Sequence, residues 1–237
     1  MIVYAINGSP RKEWNTNSIL SSFLDGAVSG HKSVHTDMID LYDYNYHGCT
    51  ECFGCKLRDG KFYGRCAQQD ELTELLHLVT QADIIAFGSP IFFANVSGQL
   101  RCFMERFLYP YTVFEKDSPR TIAPKKIRTA FLYTMNAAED VMKRNHYEEH
   151  LAPLHASTER VFGFKPSVLY SCFTYQYADY AKYAASMWDA AAKEKWLKSQ
   201  FPKDCQRAFD LGRTMAASLY QTDQFTGPLG EIRKMYV

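Results

Sequence analysis

The stretch IVYAINGSPRKEWNTNS, residues 2–18, decides the fold. Residues 2–6 are an apolar run of strand length. They lead into a loop of small hydroxyl and amide residues carrying Arg11 and Lys12, and then into a helical pattern. In that pattern Ile19, Leu20, Phe23, Leu24 and Ala27 recur on one face, and Gly30 marks a stop. A strand, a polar loop and a helix N-terminus in this order make an anion socket. The free N–H groups at the helix start and its positive dipole end favour a phosphate. Ser9, Thr16 and Ser18 can donate hydroxyl hydrogen bonds, and Arg11 can grip phosphate oxygens as a fork. The same residue types also serve as plain helix caps, so the rest of the chain has to decide between the two readings.

Working outward, residues 34–41 read as a second strand, and 42–69 are irregular. Asp70 can cap a helix whose face is Leu72, Leu75, Leu76 and Val79. Residues 82–88, ADIIAFG, form a continuous apolar run of the kind found in buried parallel strands. That run ends in Ser89-Pro90-Ile91-Phe92-Phe93-Ala94-Asn95, a second loop at a strand's carboxyl end. A helix follows from Ser97 with Leu100, Phe103, Met104, Phe107 and Leu108 on one side. A long loop over 109–126, a strand over 127–134 ending at Met135-Asn136, a helix over 138–161 and a strand over 166–173 come next. The aromatic, Ala-rich residues 175–197 are expected to be helical, with a last helix over 204–220. Strands alternating with helices predict an α/β doubly wound, five-stranded parallel sheet, order 2-1-3-4-5, with helices on both faces. One domain spans 1–221, of which 173–221 is a C-terminal helical extension, and 222–237 is a tail. Ligands of such sheets bind at the carboxyl ends of the strands where the order reverses, between the first and third strands.

With 237 residues, 46% of them apolar, and a net charge of +1, the chain can build a large core and lacks the basic face of a general nucleic-acid binder. No leader or membrane-span pattern is visible, so a soluble, cytoplasmic protein is expected. Of seven cysteines, Cys49, Cys52, Cys55 and Cys66 cluster, which points to metal or redox chemistry rather than disulfides. The C-x2-C-x2-C spacing brings three thiolates close enough for one [4Fe–4S] cluster, with Cys66 as a fourth ligand. Against that, ten residues separate Cys55 from Cys66, and the proline that ends the ferredoxin run is absent. A closed zinc site and plain thiols remain open. Cys102, Cys172 and Cys205 read as small buried hydrophobes. His146-Tyr147-Glu148-Glu149-His150 matches H-x-x-E-H of some zinc peptidases, but on an ordinary crossover helix it reads as a solvated face. Tyr175, Tyr177, Tyr180 and Tyr183, with Trp188 and Trp196, read first as packing against the sheet. A substrate mouth or a subunit contact is the second reading. The Gly-rich dinucleotide and P-loop fingerprints are both absent.

Three segments together carry a resemblance. Gly8-Ser9-Pro10-Arg11-Lys12 with Asn15-Thr16 resembles the phosphate loop of NAD(P)H-dependent FMN reductases and iron–sulfur flavoproteins of the flavodoxin-like superfamily. The Cys-rich stretch leading to Asp70, and Ala82-Asp83 leading to Gly88-Ser89-Pro90-Ile91-Phe92-Phe93 with Ser97-Gly98 and Arg106, match in the same order. The resemblance covers the first half to two thirds of the chain. It implies a flavodoxin-like domain with FMN as cofactor, NAD(P)H as co-substrate, and a homodimer or homotetramer. It places the FMN phosphate on Ser9, Arg11, Asn15, Thr16, Asn17 and Ser18. The isoalloxazine falls against Pro90, Ile91, Phe92, Phe93 and Asn95, with Thr134, Met135 and Asn136 on another side. The expected activity is transfer of electrons from a nicotinamide to a quinone, flavin, nitro compound or metal. An iron–sulfur flavoprotein carrying electrons through a cluster on Cys49, Cys52, Cys55 and Cys66 is the first alternative. A flavin-binding sensor or interaction protein without enzymatic activity is the second. The sequence departs from the family at Phe92, where Tyr is common, and at Trp14, where a small residue is common.

Overall fold

In the computed structural model, residues 1–226 are described, with side chains through residue 219. Five strands, β1 (Ile2–Asn7), β2 (His35–Asp40), β3 (Ile84–Pro90), β4 (Arg128–Thr134) and β5 (Ser167–Ser171), form one sheet in the order β2-β1-β3-β4-β5. Every pairing is parallel. The expected fold class is therefore the observed one, a doubly wound flavodoxin-like sheet.

Alternation along the strands separates two cores of different grain. Val3, Ala5, Ile84, Ala86, Ala130 and Leu132 face α1 (Asn15–Gly30) and α7 (Phe201–Thr226). Tyr4, Ile6, Ile85, Phe87, Phe131 and Tyr133 face α2 (Leu72–Val79), α3 (Gly98–Leu108) and α5 (Tyr147–Phe162). Small side chains on the first face let its helices sit close. A Cβ on Gly26 would lie 1.9 Å from the Phe209 carbonyl oxygen, and one on Gly212 would lie 2.0 Å from that of Phe23. The last helix is thus a layer of the domain, packed on α1. It runs to Thr226, past the boundary at 221 expected from sequence. The remainder of the expected tail, 227–237, lies outside the described residues.

Two helix expectations are corrected. The crossover over 138–161 is two helices, α4 (Glu139–Arg144) and α5, broken where His146 takes a left-handed φ of 54°. The two histidines of H-x-x-E-H therefore share no helix face, and His146 hydrogen-bonds Glu149 at the surface. Residues 175–197 are mostly irregular. Only a 3-10 turn (Tyr180–Lys182) and α6 (Ala190–Ser199) are helical, because Tyr175, Tyr177, Tyr180 and Tyr183 stack on one another rather than along a helix. Cys102, Cys172 and Cys205, expected buried, are each only half-buried.

Candidate functional site

The loop after β1 is built from its own side chains. Asn7, fully buried, donates through Nδ2 to Asp40 Oδ1 at 2.7 Å, and its Oδ1 accepts the Ser9 N–H. Ser9 Oγ in turn accepts the Arg11 N–H at 3.1 Å. Gly8 bonds Gly88 across the strands at 2.8 Å, and its carbonyl accepts from Ser97 Oγ at the start of α3. A Cβ on Gly8 would come within 2.8 Å of Leu100 Cβ, so the close approach requires glycine. Helix α1 then begins with no side-chain cap and no acidic residue in its first turn. Its first N–H groups and positive end are left for an anion from outside the helix.

The loop after β3 closes as a tight turn. Phe92 and Asn95 exchange backbone hydrogen bonds at 2.8 and 3.0 Å, with Phe93 and Ala94 at φ of 49° and 63°. Such a pair of positive φ values normally takes Gly or Asn, so the turn is strained by about 1 kcal/mol or more. Ile91 N–H bonds the Thr134 carbonyl, and Thr16 Oγ1 meets Thr134 Oγ1 at 2.8 Å, which locks three loops together.

These loops enclose a cavity of about 220 Å³ at the carboxyl ends of β1, β3 and β4. Of the residues singled out from sequence, Ser9, Arg11, Asn15, Thr16, Pro90, Ile91, Phe92, Thr134, Met135 and Asn136 line it. The other four do not. Asn17 Nδ2 points to Met38 Sδ, Ser18 Oγ turns back to the Trp14 carbonyl, and Asn95 Oδ1 caps Val96. Phe93 stands fully in solvent at the rim. Sequence reasoning missed Pro10, Thr174 and Gln176 as lining residues, and read Tyr175 first as packing, with a substrate mouth second. Thr174, Tyr175 and Gln176 come from the segment after β5. That segment is tied on by its carbonyls: Arg11 Nη1 reaches Gln176 O at 2.6 Å, while Trp14 Nε1 and Asn15 Nδ2 reach Tyr175 O at 3.0 and 2.8 Å. Arg11 also stacks on Trp14, 4.0 Å from the ring centroid. Trp14, where the family commonly has a small residue, lines the cavity as well.

The donor set suits a flavin mononucleotide. An uncapped helix start and a guanidinium face one end, and a Pro-Ile-Phe wall forms a side. Asn136 Oδ1 is buried at the cavity with no partner of its own. An orphaned amide oxygen is costly, and a ring N–H of a bound ligand would satisfy it.

Of three larger hollows, two, of about 490 and 370 Å³, lie along the cysteine-bearing stretch and α3, and one of about 360 Å³ is lined by Tyr170, Cys172, Trp196 and Asp204. Cys49 and Cys52 are exposed, Cys55 is buried on a short 3-10 turn (Gly54–Lys56), and Cys66 is half-buried. Burial raises the Cys55 thiol, with Cys66 and Cys49 near enough to add to the effect. Arg106, buried on α3, donates Nε to Cys66 Sγ at 3.3 Å and grips Asp70 with both terminal nitrogens. Burial alone would raise the Asp70 carboxyl, but the guanidinium outweighs it and holds it below the usual range. Among the described residues no three Cys, His, Asp or Glu side chains are arranged to hold a metal ion. No described helix is long and apolar enough to cross a membrane.

A parallel doubly wound sheet with a cavity at its reversal point defines a protein of the flavodoxin-like class. Residues 1–127 match the family model of NADPH-dependent FMN reductases, and the chain belongs to that family. Curated relatives include an iron–sulfur flavoprotein of Methanocaldococcus jannaschii, 35% identical over 106 residues, which covers 45% of this chain and 51% of that one. Another, from Methanosarcina thermophila, is 28% identical over 106 residues, 45% of this chain and 52% of that one. The chain spans about half the length of the curated relatives it matches. Among solved structures, the NAD(P)H:quinone oxidoreductase from Methanothermobacter marburgensis superposes with a TM-score of 0.63 at 16% identity, covering 91% of this chain and 96% of that one. An FMN-dependent NADH-azoreductase from Bacillus anthracis in complex with FMN gives 0.59 at 11%, covering 92% and 98%. At these identities the structural likeness speaks for the fold.

Proposed function

We propose that the chain holds FMN in the cavity at the ends of β1, β3 and β4 and works as an NAD(P)H-dependent flavin oxidoreductase. The observation that carries the reading is the convergence of an uncapped α1, Arg11, an apolar wall and the orphaned Asn136 oxygen on one cavity. Ser9, Arg11, Asn15 and Thr16, with the N–H groups of the first turn of α1, bind the phosphate. Asn17 contributes through its backbone. Pro90, Ile91 and Phe92 pack one face of the ring, Met135 and Asn136 meet its polar edge, and Phe93 at the rim offers a surface for an incoming nicotinamide. The isoalloxazine, when bound, supplies hydride acceptance and onward electron transfer. No side chain is needed as acid or base. The acceptor is a small molecule such as a quinone, a free flavin, a nitro compound or a metal complex, and the protein acts in the cytoplasm as a homo-oligomer.

A second reading is favoured by the names of the curated relatives and by the proximity of Cys49 and Cys66 to Cys55. In it Cys49, Cys52, Cys55 and Cys66 take up a [4Fe–4S] cluster and the chain relays electrons. The absorption spectrum of protein purified without oxygen, followed by mixing with NADH or NADPH, tests both. Flavin bands that bleach with nicotinamide are expected. Broad absorption with stoichiometric iron would favour the relay, flavin that nicotinamide fails to bleach would indicate a sensor, and absence of flavin would overturn the proposal.

A further inference from the structure

Lys193 on α6 is the buried lysine among the described residues, with no exposed surface at all. Its Nζ donates to the Asn136 carbonyl at 2.9 Å and the Thr174 carbonyl at 3.4 Å. It also lies 3.5 Å from the Phe173 ring centroid and 4.9 Å from that of Trp188. Phe173 adopts a left-handed φ of 63° in presenting its ring. Among the described residues no carboxylate pairs with the ammonium. Asp189 caps Ala192, Glu194 pairs with Lys198, and on α7 Asp204 bonds Ser171 and pairs with Arg207. Arg11, the cation that lines the cavity, is turned to Gln176.

Keeping an amine charged in such a place is expensive, and burial draws the Lys193 pKa down to about 8, which leaves it mostly charged at neutral pH. A tether alone would not require charge. Both carbonyls it holds belong to residues that line the cavity, and one of them, Asn136, carries the orphaned Oδ1. The positive charge therefore sits behind the part of the cavity wall that Asn136 and Thr174 form. Uptake of a hydride from a nicotinamide brings two electrons and one proton to an isoalloxazine and leaves it one negative charge richer. The nicotinamide leaves oxidised, so the step balances.

We propose that Lys193 is a positioning residue that holds the β4 and β5 loops against the flavin through Asn136 and Thr174 and makes the site bind reduced, anionic flavin more tightly than oxidised flavin. This rests on the FMN reading. The test measures the two-electron midpoint potential of bound FMN in the wild type, Lys193→Met, Lys193→Gln and Lys193→Arg, together with oxidised FMN affinity and thermal stability. Both neutral variants should bind reduced FMN at least about tenfold less tightly relative to oxidised, a fall of about 30 mV, while Lys193→Arg stays near the wild type. Gln retains a hydrogen-bond donor, so a wild-type potential in Lys193→Gln would assign the effect to tethering and overturn the inference. So would equal weakening of both redox forms, or a loss in Lys193→Arg as large as in Lys193→Met. Wild-type protein that takes up no FMN would instead refute the function reading itself.

Discussion

Arg11 has five N–H donors and commits one nitrogen to the Gln176 carbonyl, with its plane against Trp14. Its other donors have no protein partner among the hydrogen bonds of the described residues, and the residue lines the cavity. Charge-assisted bonds of this kind are worth roughly 1.5–3 kcal/mol. Arg11→Ala should therefore weaken FMN binding by roughly 10- to 100-fold and leave riboflavin, which lacks the phosphate, unchanged. Fluorescence titration with the two ligands reads the difference, and an equal loss for both would show that Arg11 acts on the ring or the fold. That Arg11 lines the cavity was legible in the sequence because residue type and position both pointed to an anion. The outward turn of Phe93 was not. It depends on two positive φ values in a Phe-Ala pair, which no turn chemistry in the sequence announces.

At the scale of elements, the contact of α1 with α7 depends on missing side chains. Gly26→Ala would push a methyl into the Phe209 carbonyl, whereas a Cβ on Gly98 at the start of α3 meets nothing within 4 Å. Gly26→Ala should cost at least about 1–3 kcal/mol, and Gly98→Ala should be neutral or gain up to about 1 kcal/mol. Paired thermal melts check the contrast. Helix α5 meets β4 through His155, whose ring stacks near Phe131 and meets the Tyr133 hydroxyl at 2.8 Å. Burial depresses its pKa to about 4. The unfolded chain takes up a proton near pH 6.5 while the folded one resists. The stability present above pH 6.5 is thus lost as pH falls toward 4, by up to about 2–3 kcal/mol. Urea midpoints at pH 7.5 and pH 5 should differ by less in His155→Phe than in the wild type. An equal fall would place the acid sensitivity elsewhere. Strand positions were readable from continuous apolar runs such as ADIIAFG. The break in the 138–161 crossover was not, since one left-handed residue between two helical patterns leaves their periodicity almost intact.

At the scale of the molecule, the first 127 residues carry the family and most of the cavity, and the rest closes it. The first part was legible because a phosphate loop and a switch-point loop have fixed chemistry. The closing part was legible only as a second reading of Tyr175, because the carbonyls of Thr174, Tyr175 and Gln176 make the contacts, and any residue can supply a carbonyl. The four clustered cysteines were visible at once, but their arrangement in space follows from the loop and from Arg106, not from spacing. The central claim is that one cavity recognises a flavin by its single phosphate. Titration of flavin-free protein with FMN and with riboflavin tests it most directly. Roughly 100-fold or greater preference for FMN is predicted from two or more charge-assisted bonds, and equal affinity for the two flavins would contradict the account.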